Sequence, residues 1–402
     1  METPDFTNIF HISYFKILKI VILLNTSWNI YNFRAGLIRH FLASKHEIIC
    51  LAPKDDYSHL LVEMGCTFIE TPLDNKGINP LNDLKYCFSL WKILRKVRPD
   101  VIFAYTIKPN IYGNFVAKML KIPVLSNVSG LGTVFIRENF SAKIAHFLYK
   151  MAFRFPQKIF FQNEDDLQIF LDKNLLKKSK TALLAGSGIN LEEFSFELLP
   201  KKSTENPKEN PSFTFLLIAR LIYDKGILEF IDAIRIIKSE QKNQQNNTQI
   251  NTQIKFQLLG KIDTQNALNI TQTQVDTWVR EDLIEYLGET SNVKPFIIAA
   301  DCVVLPSYRE GTPRTLLEAA AIGRPIITTN VAGCKEVVEN ELNGFLCEAK
   351  NAQDLAEKMT KMLFLSTEKR QEMAHNGRKK VAQQFDEKLV ITKYEQEIDT
   401  LV

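Results

Sequence analysis

The 402-residue sequence has few cysteines and none of the patterns that make cysteine a staple or a metal ligand. Its six cysteines, at positions 50, 66, 87, 302, 334 and 347, include no CxxC pair and no Cys/His cluster at ligand spacing. That excludes a disulfide scaffold and a zinc module, and reduced core cysteines suit a cytosolic chain. Long apolar runs are also missing. The run from Ile20 to Leu24 is short and follows Lys16 and Lys19, and the start METPDF is acidic, so neither a signal peptide nor a transmembrane helix is expected. Charge of one sign is scarce: 50 Lys plus Arg against 46 Asp plus Glu leave +4, which excludes a globally basic nucleic-acid binder. With only 16 Gly and 15 Pro and a 45% hydrophobic composition, collagen-like and disordered classes are excluded too.

What is present is a rhythm. From Lys19 short β-branched runs (KIVILLN, EIICLAP, TFIETPL, VIFAYT, PVLSNV, KIFFQN) alternate with amphipathic stretches, the signature of a parallel sheet covered by helices. A polar, proline-bearing stretch at 198–212 interrupts it, and the rhythm restarts with FTFLLIAR, FQLLG, IEYLGE, CVVLPS, PIITTN and GFLCEA. Such a length divides its core in two. The expected organisation is a lead-in over 1–18, a first Rossmann-like domain over 19–197, a linker over 198–212, a second over 213–380, and a helix over 381–402 that packs back on the first. The amide-rich run SEQKNQQNNTQINTQ reads as a surface insertion between helix and strand.

The most informative segment is SYREGTPRTLLEAAAIGRP, from Ser307 to Pro325, after the strand CVVLP. Its grammar is strand, tight loop, helix: Gly311 permits a close or left-handed backbone, Thr312 can cap, Pro313 fits the first helical position, and Gly323 with Pro325 ends the helix. The amides of residues 314 to 316 and the helix dipole then offer an anion site suited to a diphosphate. Glu310 and Glu318 frame it; a carboxylate there accepts from a vicinal diol, or else belongs to a solvated surface. Glu318 stands inside the apolar run LLEAAAI, where an unpaired charge is costly, which favours a role. Arg220 and Lys225, in IARLIYDKGI, end the first strand of the second half, where two cations can neutralise a diphosphate or join ordinary ion pairs.

Together, Glu310-x7-Glu318 in EGTPRTLLEAAAIGRP, ARLIYDKG and GSGINLEEF at 186–194 resemble the retaining family 4 glycosyltransferases of the GT-B fold. Among them the chain looks most like bacterial N-acetylgalactosaminyltransferases that extend undecaprenyl-diphosphate-linked sugars, a closer likeness resting on SGLG at 129–132 and YNFR at 31–34. The resemblance implies that Arg220 and Lys225 hold the donor diphosphate, Glu310 the donor sugar and Glu318 the ribose diol. Gly311, Thr312, Arg314 and Thr315 would complete the diphosphate cradle, and the stretch Gly288 to Val293 would hold the base. It implies a UDP-sugar donor, no cofactor and no metal, in keeping with the absence of a DxD motif beside a strand. The chain departs from the family in two places: NTSWNIYNFR follows the first strand where a glycine-rich loop is usual, and NVSGLG, with Ser129, stands where a histidine is usual.

Trp28, Asn32, Arg34, Lys108 and Ser129 are acceptor candidates on first-domain loops, or ordinary loop residues. Residues 1–196 carry 24 Lys plus Arg and 17 Asp plus Glu, a net +7, against −3 in the remainder. Within the basic half, SAKIAHFLYKMAFRFPQK sets Lys143, Lys150 and Arg154 among Ile144, Phe147, Met151 and Phe155, a helix for an anionic membrane face or a sheet-covering helix with a solvated side. The expected activity is sugar transfer from a UDP-sugar to a lipid-linked saccharide at the cytoplasmic face of a membrane. A sugar-nucleotide epimerase of the same fold and a non-catalytic sugar-nucleotide binder remain the alternatives.

Overall fold

The computed structural model describes residues 16–74, 79–131, 140–199, 212–243, 253–263 and 269–401. Each apolar run forms a strand; those in the middle of the sheets, such as Val101–Tyr105, Val124–Val128, Cys302–Leu305 and Ile326–Thr329, are buried throughout, as a sheet between helix layers requires, whereas Thr67–Glu70 and Glu285–Tyr286 at the sheet edges are not. The first unit runs β1 (Lys19–Leu23), α1 (Ser27–Ala43), β2 (Glu47–Ala52), α2 (Ser58–Glu63), β3 (Thr67–Glu70), α3 (Pro80–Val97), β4 (Val101–Tyr105), α4 (Ile107–Leu120), β5 (Val124–Val128), α5 (Phe140–Ala152), β6 (Lys158–Phe161), α6 (Glu164–Asp172) and β7 (Thr181–Leu183). The second runs β8 (Ser212–Ile218), α7 (Ile227–Asn243), β9 (Gln253–Leu259), α8 (Gln272–Arg280), β10 (Glu285–Tyr286), α9 (Lys294–Ala299), β11 (Cys302–Leu305), α10 (Arg314–Ile322), β12 (Ile326–Thr329), β13 (Gly344–Cys347), α11 (Ala352–Phe364), α12 (Thr367–Gln384) and α13 (Glu387–Asp399).

Strand order is β3-β2-β1-β4-β5-β6-β7 in one sheet and β10-β9-β8-β11-β12-β13 in the other, with all neighbours parallel. The order reverses between β1 and β4 and between β8 and β11, and the crevice beyond the carboxyl ends of such a pair is where open α/β sheets bind ligands. Arg220, Lys225 and Glu310 all stand on the segments that leave β8 and β11.

Two placements expected from the sequence need correction, and one strand was not expected. Trp28, Asn32 and Arg34 do not lie on a loop: Thr26 caps α1 by accepting from the Asn29 amide at 3.1 Å, so the helix begins at once after β1. Lys108 likewise belongs to the first turn of α4. The short, partly exposed edge strand β7 carries too little apolar patterning to be read from sequence.

The chain crosses between the units earlier than the proline-bearing stretch. Ile189 and Phe194 are already buried with Leu216, Val303 and Leu316 of the second unit, so the crossing lies near residues 185–188 rather than after 197. The return comes at Phe385 to Glu387, after which Val390, Ile391, Tyr394 and Ile398 of α13 pack with Ile20, Ile22 and Leu37 of the first unit. The two crossing strands are hydrogen bonded, Ile189 N to Phe385 O at 2.8 Å and Glu387 N to Ile189 O at 3.1 Å. Residues 1–15 of the lead-in, 200–211 of the linker and 244–252 of the amide-rich insertion lie outside the described residues.

Candidate active site

The loop from Ser307 to Pro313 carries β11 into α10. Pro313 occupies the position just before the helix, not its first turn, and no side chain caps α10. The Thr312 hydroxyl instead reaches across to the Gln162 carbonyl of the first unit at 3.5 Å. The first amides of α10 are thereby left for an anionic ligand. Gly311 is needed for closeness rather than for a left-handed turn: a Cβ there would stand 2.7 Å from the Ser129 carbonyl oxygen. Gly323, at φ +89°, closes α10 as the sequence indicates, donating to the carbonyls of Ala319 and Ala320.

Lys225 ends the 3-10 turn Tyr223–Lys225 after β8, and its ammonium pairs with Oε1 of Glu310. The Ser307 hydroxyl donates to the same oxygen at 2.7 Å. Gly226, at φ +69°, permits this meeting, since a Cβ there would collide with the Pro306 carbonyl at the end of β11. Arg220 is exposed at the same sheet edge and forms no ion pair among the described residues, so its guanidinium is open to a ligand.

Glu318 is not on a solvated face. It is 7% exposed, on a helix whose residues from Leu316 to Ile322 are all buried, and it accepts from Arg314 Nε at 2.8 Å one turn earlier. Burial holds its pKa above the usual carboxylate range, a shift that Arg314 partly offsets. Arg314 also lies 5.5 Å over the Phe33 ring of α1, linking the two units. Thr315 is half-buried in the first turn of α10.

Sequence reasoning missed a clasp between the units. Asn163, Asp165 and Asp166, at the start of α6, all reach the second unit. The Asn163 amide donates to the Gly311 carbonyl at 3.0 Å, Asp165 pairs with Lys335 at 2.6 Å, and the fully buried Asp166 takes the guanidinium of Arg309, its Nε at 3.2 Å. The run NEDD announces a helix start, because Asn163 caps Asp166 at 2.8 Å, but nothing in it announces the partner loop. Burial raises the Asp166 pKa although Arg309 opposes it. A raised carboxyl pKa means that the folded state holds its proton longer, so Asp166 removes stability as pH rises through that value. Asp166→Asn is therefore expected to hold or raise Tm while lowering kcat about tenfold, because Arg309 no longer seats the Glu310 loop. Calorimetry and steady-state kinetics decide; a lower Tm with unchanged kcat would leave the pair a structural role only.

The other candidates are scattered. Ser129 stands beside Gly311 across the cleft and donates to Asn127 Oδ1 at 3.0 Å. Trp28 is 42% exposed and edge-on to Phe33 at 5.5 Å, whereas Asn32 spends its amide on the Trp28 carbonyl at 2.9 Å. Arg34 is buried and stacks 4.2 Å from the Tyr105 ring, and Lys108 pairs with Asp83 at 2.7 Å. Gly288, at φ +74°, and Val293, just before α9, lie beyond β10, separated from β11 by β9 and β8.

Residues 200–380 match the family described as glycosyl transferases group 1, and residues 19–163 that described as glycosyl transferase 4-like. An N,N'-diacetylbacillosaminyl-diphospho-undecaprenol alpha-1,3-N-acetylgalactosaminyltransferase from Campylobacter jejuni is 30% identical over 388 residues, spanning 94% of this chain and 97% of its own length. This chain belongs to the group 1 glycosyltransferases. An Escherichia coli UDP-Gal:alpha-D-GlcNAc-diphosphoundecaprenol alpha-1,3-galactosyltransferase is 27% identical over 281 residues, 68% of each chain. Anabaena HepE in complex with UDP and glucose superposes with a TM-score of 0.75 at 17% identity, over 95% of this chain and 100% of that one. The glycosyltransferase fold is GT-B, with Glu310, Lys225 and the start of α10 facing Ser129 across the cleft between its halves.

Proposed function

We propose that this glycosyltransferase moves a hexose or N-acetylhexosamine from a UDP-sugar to an undecaprenyl-diphosphate-linked saccharide, with retention, in surface polysaccharide or glycan assembly. The observation that carries the reading is the Lys225–Glu310 pair beside the uncapped start of α10, at the strand-order reversal of the second sheet. The names of the Campylobacter jejuni and Escherichia coli relatives support the acceptor class, and the UDP in HepE supports the donor.

In this reading Arg220, Lys225 and the α10 amides, including those of Arg314 and Thr315, meet the donor diphosphate and take up the charge of the leaving UDP without a metal cofactor. Glu310 accepts from donor sugar hydroxyls, Glu318 from the ribose diol, and Gly288 to Val293 border the base. The acceptor hydroxyl attacks C1 from the face that UDP leaves: the acceptor oxygen bonds to C1, the C1–O bond to phosphate breaks, and the hydroxyl proton passes to the departing phosphate oxygen. No side-chain base is then needed where Ser129 replaces the family's usual histidine. The enzyme works at the cytoplasmic face of the membrane through its basic first half.

Thermal shift against a panel of UDP-sugars tests the donor site. At a hundredfold excess over Kd the matched donor adds about 2.7 kcal/mol of stability, a clear rise in Tm, and no response to any UDP-sugar would contradict the reading. Glu318→Gln is expected to raise the donor KM about tenfold with kcat little changed, the loss of one charge-assisted hydrogen bond. Unchanged KM would leave Glu318 only as the partner of Arg314.

A further inference from the structure

α3, α4 and α5 lie side by side on one face of the first sheet, with α4 packed between the other two. α4 is recessed and exposes Lys118 and Met119 near its end. α3 buries Tyr86, Leu90 and Leu94 against the sheet, yet it leaves Leu81, Leu84 and Phe88 at 68, 65 and 56% exposure. The spacing of three and four residues sets them in one stripe along the outer side of the helix. Trp91 extends the stripe, stacked on Phe88 at 6.0 Å, while Lys92 and Arg95 lie 4.5 and 5.1 Å from the Phe88 and Trp91 rings. On α5, Ile144 and Phe147 are 39 and 63% exposed between Lys143 and Lys150.

The charge on these three helices is one-sided, whereas the neighbouring α6 on that side of the sheet carries the acids Glu164, Asp165, Asp166 and Asp172. Four Lys or Arg on α3, two on α4 and two on α5 stand against a single acid, Asp83, which is tied to Lys108 and to the Tyr112 hydroxyl. Arg98, Lys121 and Arg154 add cations just beyond the three helix ends. A soluble chain gains nothing by exposing a row of large apolar residues; apolar stripes edged by cations are built to lie at the headgroup level of a lipid surface. The unbalanced positive charge selects the anionic kind.

We propose that the α3–α4–α5 face docks on an anionic phospholipid bilayer, with the Leu81–Leu84–Phe88–Trp91 stripe of α3 at the headgroup boundary. Helices that follow parallel strands begin at the sheet's carboxyl edge, so Leu81 and Leu84 lie at the end of α3 nearest the cleft. A lipid-borne acceptor enters from that end, a consequence that rests on the lipid-linked reading above, whereas the docking itself does not.

The test is sedimentation of the full chain with phosphatidylglycerol–phosphatidylethanolamine vesicles and with phosphatidylcholine vesicles, without sugar substrates. The wild type is expected to pellet with the anionic vesicles only and to be released by salt. Leu84→Glu with Phe88→Glu is expected to cut partitioning at least tenfold, and Lys92→Ala or Arg95→Ala about fivefold each. Transfer to a short-chain, water-soluble acceptor, measured separately, is expected to stay unchanged in all of these exposed variants. A wild type that stays in the supernatant, a double Glu variant that pellets like wild type, or a chain that ignores vesicles and dimerises through Phe88 would each overturn the proposal. Vesicle binding without transfer from any UDP-sugar would sink the functional reading alone, and transfer without vesicle binding would sink the docking face alone.

Discussion

Glu310→Gln is expected to cut kcat about a hundredfold or more while the protein stays folded and still binds UDP. The carboxylate occupies the one place where the β11 loop, the turn after β8 and the start of α10 converge, and it accepts from both Lys225 and Ser307. The amide keeps the shape but loses the charge that holds Lys225 and that, in the proposed reading, accepts from the sugar. Because the two side chains act as a unit, Glu310→Gln combined with Lys225→Ala should be little worse than either change alone. Single-turnover kinetics with saturating donor separates this from a binding defect. Activity of Glu310→Gln within threefold of wild type would remove the residue from the machinery.

The largest expected loss of stability comes from Arg324, far from the chemistry. It is 1% exposed and donates to the carbonyls of Ile297, Ile298 and Gly323 in the second unit and of Glu197 and Leu198 in the segment arriving from the first. Burial lowers its pKa to about 10, so it stays charged at neutral pH. Arg378 grips the same segment at the Leu191 and Phe194 carbonyls. Arg324→Ala removes this donor from all five carbonyls; that of Ile297 keeps the Ala300 amide at 3.2 Å, and each of the others left unpaired costs about 1–3 kcal/mol before relaxation and water entry. A net loss of about 4 kcal/mol, or a fall in Tm of about 10 °C, is expected by calorimetry. A fall under about 3 °C would mean that water replaces the guanidinium freely.

The strands other than β7 were legible because a covered parallel strand needs an unbroken apolar run, as EIICLA and CVVL supply. The pairing of Lys225 with Glu310 was half legible: each residue stood at the carboxyl edge of a strand, but their contact depends on β8 and β11 being neighbours in the sheet. The clasp of Asp166 with Arg309 was not legible, because a charge on a helix start and a charge in a loop 143 residues later read as two solvated groups. Arg34 misled in the opposite direction. A basic residue near a sheet edge looks like a ligand contact, whereas this one is stacked under Tyr105 in the core. The crossing at 185–188 does carry Gly186 and Gly188, both at positive φ, but two such glycines read equally well as an ordinary tight turn, and the Ile189 and Phe385 pairing that marks the hinge joins residues far apart in the sequence.

The most direct test of the central claim is incubation of the wild type with radiolabelled UDP-sugars and an undecaprenyl-diphosphate-linked saccharide, followed by extraction of the lipid and NMR of its new linkage. The account predicts label in the lipid fraction for a matched donor, with the anomeric configuration of that donor retained. Conversion of UDP-N-acetylglucosamine to an epimer without any acceptor, or a linkage of inverted configuration, would contradict it.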